Sequence, residues 1–255
     1  MSGWSSSKNY TISVLDKKKY SILKKRNRNK KIKFFKSIDD IDNQNNLDYI
    51  IFATRPLQLT NVFKELKNVN FNKKSIAISV IAGKKTEIFK NNLLNINKIV
   101  RVMPNMPALI GEGVHCIYTN KSINKKEIKE IDKLFSLSGK TLFFNNETFI
   151  DKATAVSGSG PGFIFQLIDI MEKSAINLGF SKNTAKILIN ETLRGSLSLL
   201  NSNNISAEKM VETVATRGGT TEAGIKKMKI NKVDNIFKQV FKAAYTRAKQ
   251  QGEGK

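Results

Sequence analysis

One cysteine, Cys116, and one histidine, His115, are all that 255 residues hold of the two side chains most used for metal binding and nucleophilic chemistry. A lone cysteine excludes an intramolecular disulfide, and a lone histidine leaves no metal-ligand cluster to assemble, so no metal is expected. Serine–histidine catalysis loses its footing too, because His115 is remote in sequence from the glycine pair Gly218-Gly219. No apolar run approaches the ~20 residues needed to cross a bilayer, and Met1–Asn9 has no hydrophobic signal core. A cytoplasmic chain with no membrane partner is the expectation. Proline is scarce, so Pro56, Pro104, Pro107 and Pro161 each read as a strand end, a rigid loop or a helix start.

Acidic residues are also few, 21 against 44 basic ones, for a net charge of +23. Such a balance raises nucleic acid as a partner, and Lys17–Lys36 is dense in lysine and arginine. That stretch has no aromatic-glycine RNA-binding signature and no zinc-finger spacing. Asn, Ile and Lys are abundant over the whole chain, as a compositional bias of the source genome would give. No nucleic-acid partner is expected. With 40% hydrophobic residues the chain is long enough to bury cores in two modest domains.

Tyr10–Asp16 alternates and reads as a strand, Ile32–Phe35 as a second, and Leu47–Ala53 as a strand apolar on both faces that ends at Arg55-Pro56. A helix-compatible segment, Leu57–Leu66, precedes an apolar strand over Ser75–Ile81 that closes on Ala82-Gly83. Ile99–Met103 is a further strand, followed by the rigid loop Pro104-Asn105-Met106-Pro107. After Gly111-Glu112-Gly113 comes the strand-like Val114–Tyr118. Strands alternating with helical connections point to a doubly wound parallel sheet, whose ligands bind beyond the carboxyl ends of its strands. The loops after Ala53, Ile81 and Met103 would then face one crevice. This α/β part is assigned to residues 1–150 and a helical domain to 151–255. In the latter, Phe163–Leu178 and Ala185–Leu200 keep helical spacing, Ser206 is placed to cap Ala207–Val214, and Val233–Ala244 marks a last helix before a polar tail, Gln250–Lys255.

Two stretches stand apart from this periodicity. In Thr216-Arg217-Gly218-Gly219-Thr220-Thr221-Glu222-Ala223-Gly224, a glycine pair runs into paired hydroxyls where a helix begins. Free N–H groups and the helix dipole would hold a small carboxylic acid there. The plain alternative is a helix–helix connection with a glycine C-terminus and a threonine N-cap. Ala155-Val156-Ser157-Gly158-Ser159-Gly160-Pro161-Gly162 stands at the junction of the two halves, either as a hinge or as a floor under a flat ring, and the two roles are compatible.

Taken with Arg101–Pro107 and Gly111-Glu112-Gly113, these blocks resemble, in order and spacing, the pyrroline-5-carboxylate reductase family. The resemblance runs from about Tyr10 to Gln250. Ala53-Thr54-Arg55-Pro56 and Ile81-Ala82-Gly83 add to it. It implies a Rossmann-like doubly wound sheet followed by an all-helical dimerisation domain, with reduction of 1-pyrroline-5-carboxylate, a cyclic imino acid, to L-proline. By the same resemblance Thr221 would hydrogen-bond the imine nitrogen. The amides around Gly218, Gly219 and Thr220, with Thr216, would hold the carboxylate. Asn105 and Pro107 would line the nicotinamide pocket, Thr54, Arg55 and Ala82 the adenosine end or ribose, with Pro56, Ser37 and Ser157 as further cofactor contacts. NADPH is the family's usual donor and NADH a possible one. Asp16 is placed to bind a ribose hydroxyl, Lys17 and Lys18 a 2′-phosphate. A homodimer, assembling further into a ring of dimers, is implied.

The sequence departs from the family in two places. Nothing before Tyr10 supplies the family's first strand and Gly-x-Gly-x-x-Gly turn, and Met1-Ser2-Gly3-Trp4 looks like the end of the helix after that turn. Arg217 stands where the family usually has proline. Two other readings follow: a non-catalytic homologue that still dimerises, and a hydroxy-acid dehydrogenase of the same architecture with Lys173 or Lys186 as acid–base.

Overall fold

The computed structural model describes Trp4, residues 9–26, Asn29, residues 31–42, 44–202 and 205–253. Apart from Trp4, the expected helix end at residues 1–4 lies outside the described residues. The chain divides into two units, Met1–Ser159 with Ala244–Lys255, and Gly160–Ala243.

In the first unit, β1 (Ile12–Leu15) and β2 (Ile32–Phe35) pair in parallel around helix α1 (Tyr20–Arg26). A separate five-stranded sheet has the order β3 (Tyr49–Phe52), β4 (Ile76–Ser79), β5 (Lys98–Met103), β6 (Gly113–Thr119), β7 (Gly139–Phe144). Helix α2 (Leu59–Leu66) joins β3 to β4, and α3 (Thr86–Asn92) joins β4 to β5. All four residues of β4 are buried, as a central parallel strand covered on both faces requires. Neighbouring residues face opposite cores. Ala77 packs with Phe52, Phe63 and Phe89 on the α2–α3 side, whereas Ile76 and Ile78 pack with Ile131 and Phe135 of α4 (Lys125–Ser136) on the other. Helices on both faces make the sheet doubly wound.

One pairing departs from the parallel order: β6 runs antiparallel to β5, with Met103 opposite Cys116. Only residues 104–112 connect them, and a parallel return needs a crossover of a dozen or more residues. A 3-10 turn, Met106–Ile110, fills the connection, and Gly111, at φ +84°, ends it. Helix α4, opened by an Asn124–Glu127 capping box, brings β7 back parallel to β6. Since β3, β4 and β5 are parallel, the loops after Phe52, Ser79 and Met103 leave one edge of the sheet, and the reversal brings Gly113 to that edge as well.

Helix α5 (Thr148–Ala153) passes through a π turn, Thr154–Gly158, with Ser159 N–H donating to Thr154 O at 2.8 Å. Gly158 is confined there, because a Cβ would meet Met103 Cε at 2.7 Å.

The second unit holds α6 (Gly160–Asn177), α7 (Lys182–Ser202), α8 (Ala207–Val214), α9 (Thr220–Ile230) and α10 (Val233–Glu253) as far as Ala243. Ser206 caps α8, its hydroxyl accepting from Lys209 N–H at 3.3 Å. Among the described residues of this unit only Ala185 is buried, while Phe165, Ile187, Leu197, Val214 and Ile230 stand exposed. The expected polar tail from Gln250 is instead helical through Glu253. Its Gly252 lies against Gly83, where φ is +75° and a Cβ would meet Gly252 N at 2.6 Å. The close approach of two backbones fixes the last turns of α10 within the first unit.

Candidate active site

The glycine pair folds as a tight turn. Gly219 N–H donates to Thr216 O at 3.0 Å, and Gly218, third of the four residues, has φ +73°. With Arg217 at negative φ this is a type II turn, which needs glycine at its third position and accepts proline or many other residues at its second. Arg217 therefore fits the turn. Gly219 is the N-cap of α9 and makes no side-chain cap, which corrects the plain alternative in which a threonine caps the helix.

The first intrahelical bond runs from Ala223 N–H to Gly219 O at 3.2 Å, so the amides of Thr220, Thr221 and Glu222 precede it. The Glu222 carboxylate reaches back to accept from Gly218 N–H at 2.6 Å. The Thr216 hydroxyl lies against Gly219, 2.7 Å from where a Cβ would stand. The hydroxyls of Thr220, exposed, and Thr221, half-buried, have no partner among the described residues. A groove of about 470 Å³ runs from Gly218 and Gly219 past Glu222 to Lys226 and Lys229. The open amides and the helix dipole suit an anion at the start of α9, and Lys226 and Lys229 line the groove further along the helix.

Of the residues expected at the cofactor, Thr54, Arg55, Pro56, Ala82, Asn105 and Pro107 come together on one edge, in the loops after β3, β4 and β5. The Thr54 hydroxyl is buried without a partner, as a group awaiting a ligand oxygen would be. Arg55 is exposed, and its N–H donates to the Gln58 side chain at 3.3 Å. Asn105 turns its side-chain oxygen to Val114 N–H at 2.8 Å, pinning the start of β6. Ser157, in the π turn, donates to Ala153 O at 3.0 Å and lies 3.6 Å from Cys116 Sγ, one strand from Met103. Ser37 follows β2 in the smaller sheet and bonds Asp39 and Asp40. Asp16 accepts from Lys18 and Lys19 N–H at 3.1 and 2.9 Å, and Lys17 pairs with Glu65. The unmet Thr54 hydroxyl at the carboxyl edge of parallel strands fits a dinucleotide there.

A buried ion network escaped the sequence reading. Arg101, within the apolar run of β5, meets Asp151 at 2.5 Å and Glu147 at 3.5 Å, and Glu147 accepts from the Thr86 N–H and hydroxyl at the start of α3. The signal was a charge inside the strand Lys98–Met103. Buried His115 approaches Ser138 Oγ at 3.0 Å, and burial lowers its pKa.

A doubly wound α/β unit with a ligand edge, joined to a helical unit with bare apolar faces, has the architecture of a two-part dinucleotide-binding protein. Residues 147–251 match the family described as pyrroline-5-carboxylate reductase dimerisation. The chain belongs to the pyrroline-5-carboxylate reductase family. It is 29% identical to the pyrroline-5-carboxylate reductase of Haemophilus influenzae over 85% of this chain and 82% of that one. With that of Aquifex aeolicus it shares 34% identity over 71% and 66%. Among solved structures, a pyrroline-5-carboxylate reductase from Coxiella burnetii superposes at TM-score 0.84 and 26% identity, covering 98% of this chain and 92% of that one. The Plasmodium falciparum pyrroline carboxylate reductase with NADP bound superposes at 0.79 and 25%, covering 89% and 84%.

Proposed function

We propose that this chain reduces 1-pyrroline-5-carboxylate to L-proline with NADPH, NADH serving as an alternative donor. Family membership gives the reaction, and the observation that carries it to particular residues is the opening of α9. There a glycine turn leaves the first helix amides and two threonine hydroxyls free, and a groove lined by Gly218, Gly219, Glu222, Lys226 and Lys229 runs along the same helix. The N–H groups of Gly218 and Gly219, expected at the carboxylate, are taken by Glu222 and Thr216, so a carboxylate meets the open amides of Thr220 and Thr221 with the Thr216 hydroxyl, and the Thr221 hydroxyl holds the imine nitrogen. When bound, the nicotinamide supplies the hydride that the ring C=N carbon accepts. Because a protonated imine is already electrophilic, the task of the protein is placement: the carboxylate clamp fixes the ring, and Thr221 keeps the nitrogen oriented. At the sheet edge Thr54, Arg55 and Ala82 hold the adenosine end or ribose and Pro56 is a further cofactor contact, Asn105, Pro107 and Ser157 line the nicotinamide pocket, and Ser37, after β2 of the smaller sheet, is a separate cofactor contact.

The helical unit dimerises, and dimers assemble further into a ring, in a cytoplasmic setting. Among the described residues no helix is long and apolar enough to cross a membrane. The test is growth of a proline auxotroph carrying the gene for this chain, paired with NADPH oxidation by the purified protein. A folded protein that gives neither growth nor NADPH oxidation would refute the proposal.

A further inference from the structure

We infer that Glu222 is a positioning residue for the substrate carboxylate, an inference that rests on the reductase reading above. No packing holds Gly218 in its left-handed conformation: a Cβ built there meets nothing within 4 Å. Two hydrogen bonds hold the turn instead, Gly219 N–H to Thr216 O at 3.0 Å and Gly218 N–H to the Glu222 carboxylate at 2.6 Å. The cap residue, Gly219, has no side chain to offer, so the third residue of α9 reaches back past it. This bond also decides which amides a ligand meets. Gly218 N–H is taken, and those of Thr220 and Thr221 stay open.

The arrangement has an electrostatic cost as well. Glu222 lines the same groove as Lys226 and Lys229, so an anion arriving at the amides meets one negative charge beside two positive ones. Glutamine keeps an acceptor for Gly218 N–H and removes the charge. Alanine removes both. The two substitutions therefore separate the hydrogen bond from the charge.

The experiment measures steady-state kinetics with pyrroline-5-carboxylate and NADPH for the wild type, Glu222→Ala and Glu222→Gln. Calorimetric binding of proline and a thermal melt of each protein accompany it. Glu222→Ala should raise KM for pyrroline-5-carboxylate roughly tenfold, the factor for one hydrogen bond to a charged acceptor, with kcat changing less. Proline binding should weaken alike. Glu222→Gln should return both to within about threefold of the wild type, or tighten them as repulsion is lifted. KM for NADPH should not move. A purely structural role forecasts lowered melts with KM unchanged, and that result overturns the inference, as does a glutamine variant no better than alanine. An active wild type whose KM ignores Glu222 sinks this inference and leaves the reductase reading standing. An inactive wild type that binds proline in a Glu222-dependent way does the reverse, and one that neither turns over nor binds proline overturns both.

Discussion

Replacing Thr221 by alanine removes the hydroxyl proposed at the imine nitrogen, and the structure fixes what else the change touches. Gly219, not a threonine, caps α9, and the Thr221 side chain bonds nothing among the described residues, so no cap is lost. Alanine is the better helix former by a few tenths of a kcal/mol, and the melting point should stay within about 2 °C. Kinetics should respond strongly. One hydrogen bond to a charged group is worth about 1.5–3 kcal/mol, and its loss at the reacting centre should lower kcat roughly 10- to 150-fold, with KM changing less. Thr221→Ser keeps the hydroxyl and should keep much of the rate. Thr216→Ala, which removes a carboxylate contact present in ground and transition state alike, should act mainly on KM. Steady-state kinetics beside a melt of each variant reads all of this. A Thr221→Ala protein that melts several degrees early yet turns over normally would remove Thr221 from the mechanism.

Three further outcomes can be checked on stability. Arg101→Met strands Asp151 and Glu147 in the interior and should cost about 3–5 kcal/mol in urea unfolding, part of which a second change, Asp151→Asn, should restore. Because burial lowers the His115 pKa, the unfolded chain takes up a proton near pH 6.5 that the folded chain resists. Stability should be full above that value and fall as pH drops below it, and His115→Gln should flatten that slope in unfolding curves between about pH 7 and 5. Gly83→Ala drives a methyl into the Gly252 backbone at a left-handed position. It should cost about 1–3 kcal/mol and raise amide exchange selectively in the last turns of α10.

The strands were legible where alternation or double-sided burial was strong. Ile32–Phe35 stands as read, and Ser75–Ile81 narrows to Ile76–Ser79 because only the middle of the run is paired. The capping of α8 was legible because a serine hydroxyl before a periodic segment has one obvious use. Strand β7 and helix α4 went unread: Gly139–Phe144 leaves Leu142 and Phe143 exposed at the sheet edge, which blurs its alternation, and α4 hides three buried residues among charges. The reversal at β6 was encoded in loop length, which periodicity does not register. At α9 the threonines drew attention as caps by residue preference. The turn places Gly219 at the cap instead, and only geometry shows that Glu222 reaches Gly218.

The bare apolar faces of Gly160–Ala243 have a thermodynamic consequence. With Ala185 the only described residue of that unit fully shielded from water, much of the hydrophobic free energy that ordinarily holds helices together is not realised within one copy of the chain. Association of copies would release the rest, so the stability of this half should be coupled to assembly. Its unfolding midpoint should climb with the logarithm of protein concentration, and dilution should act on it as a denaturant.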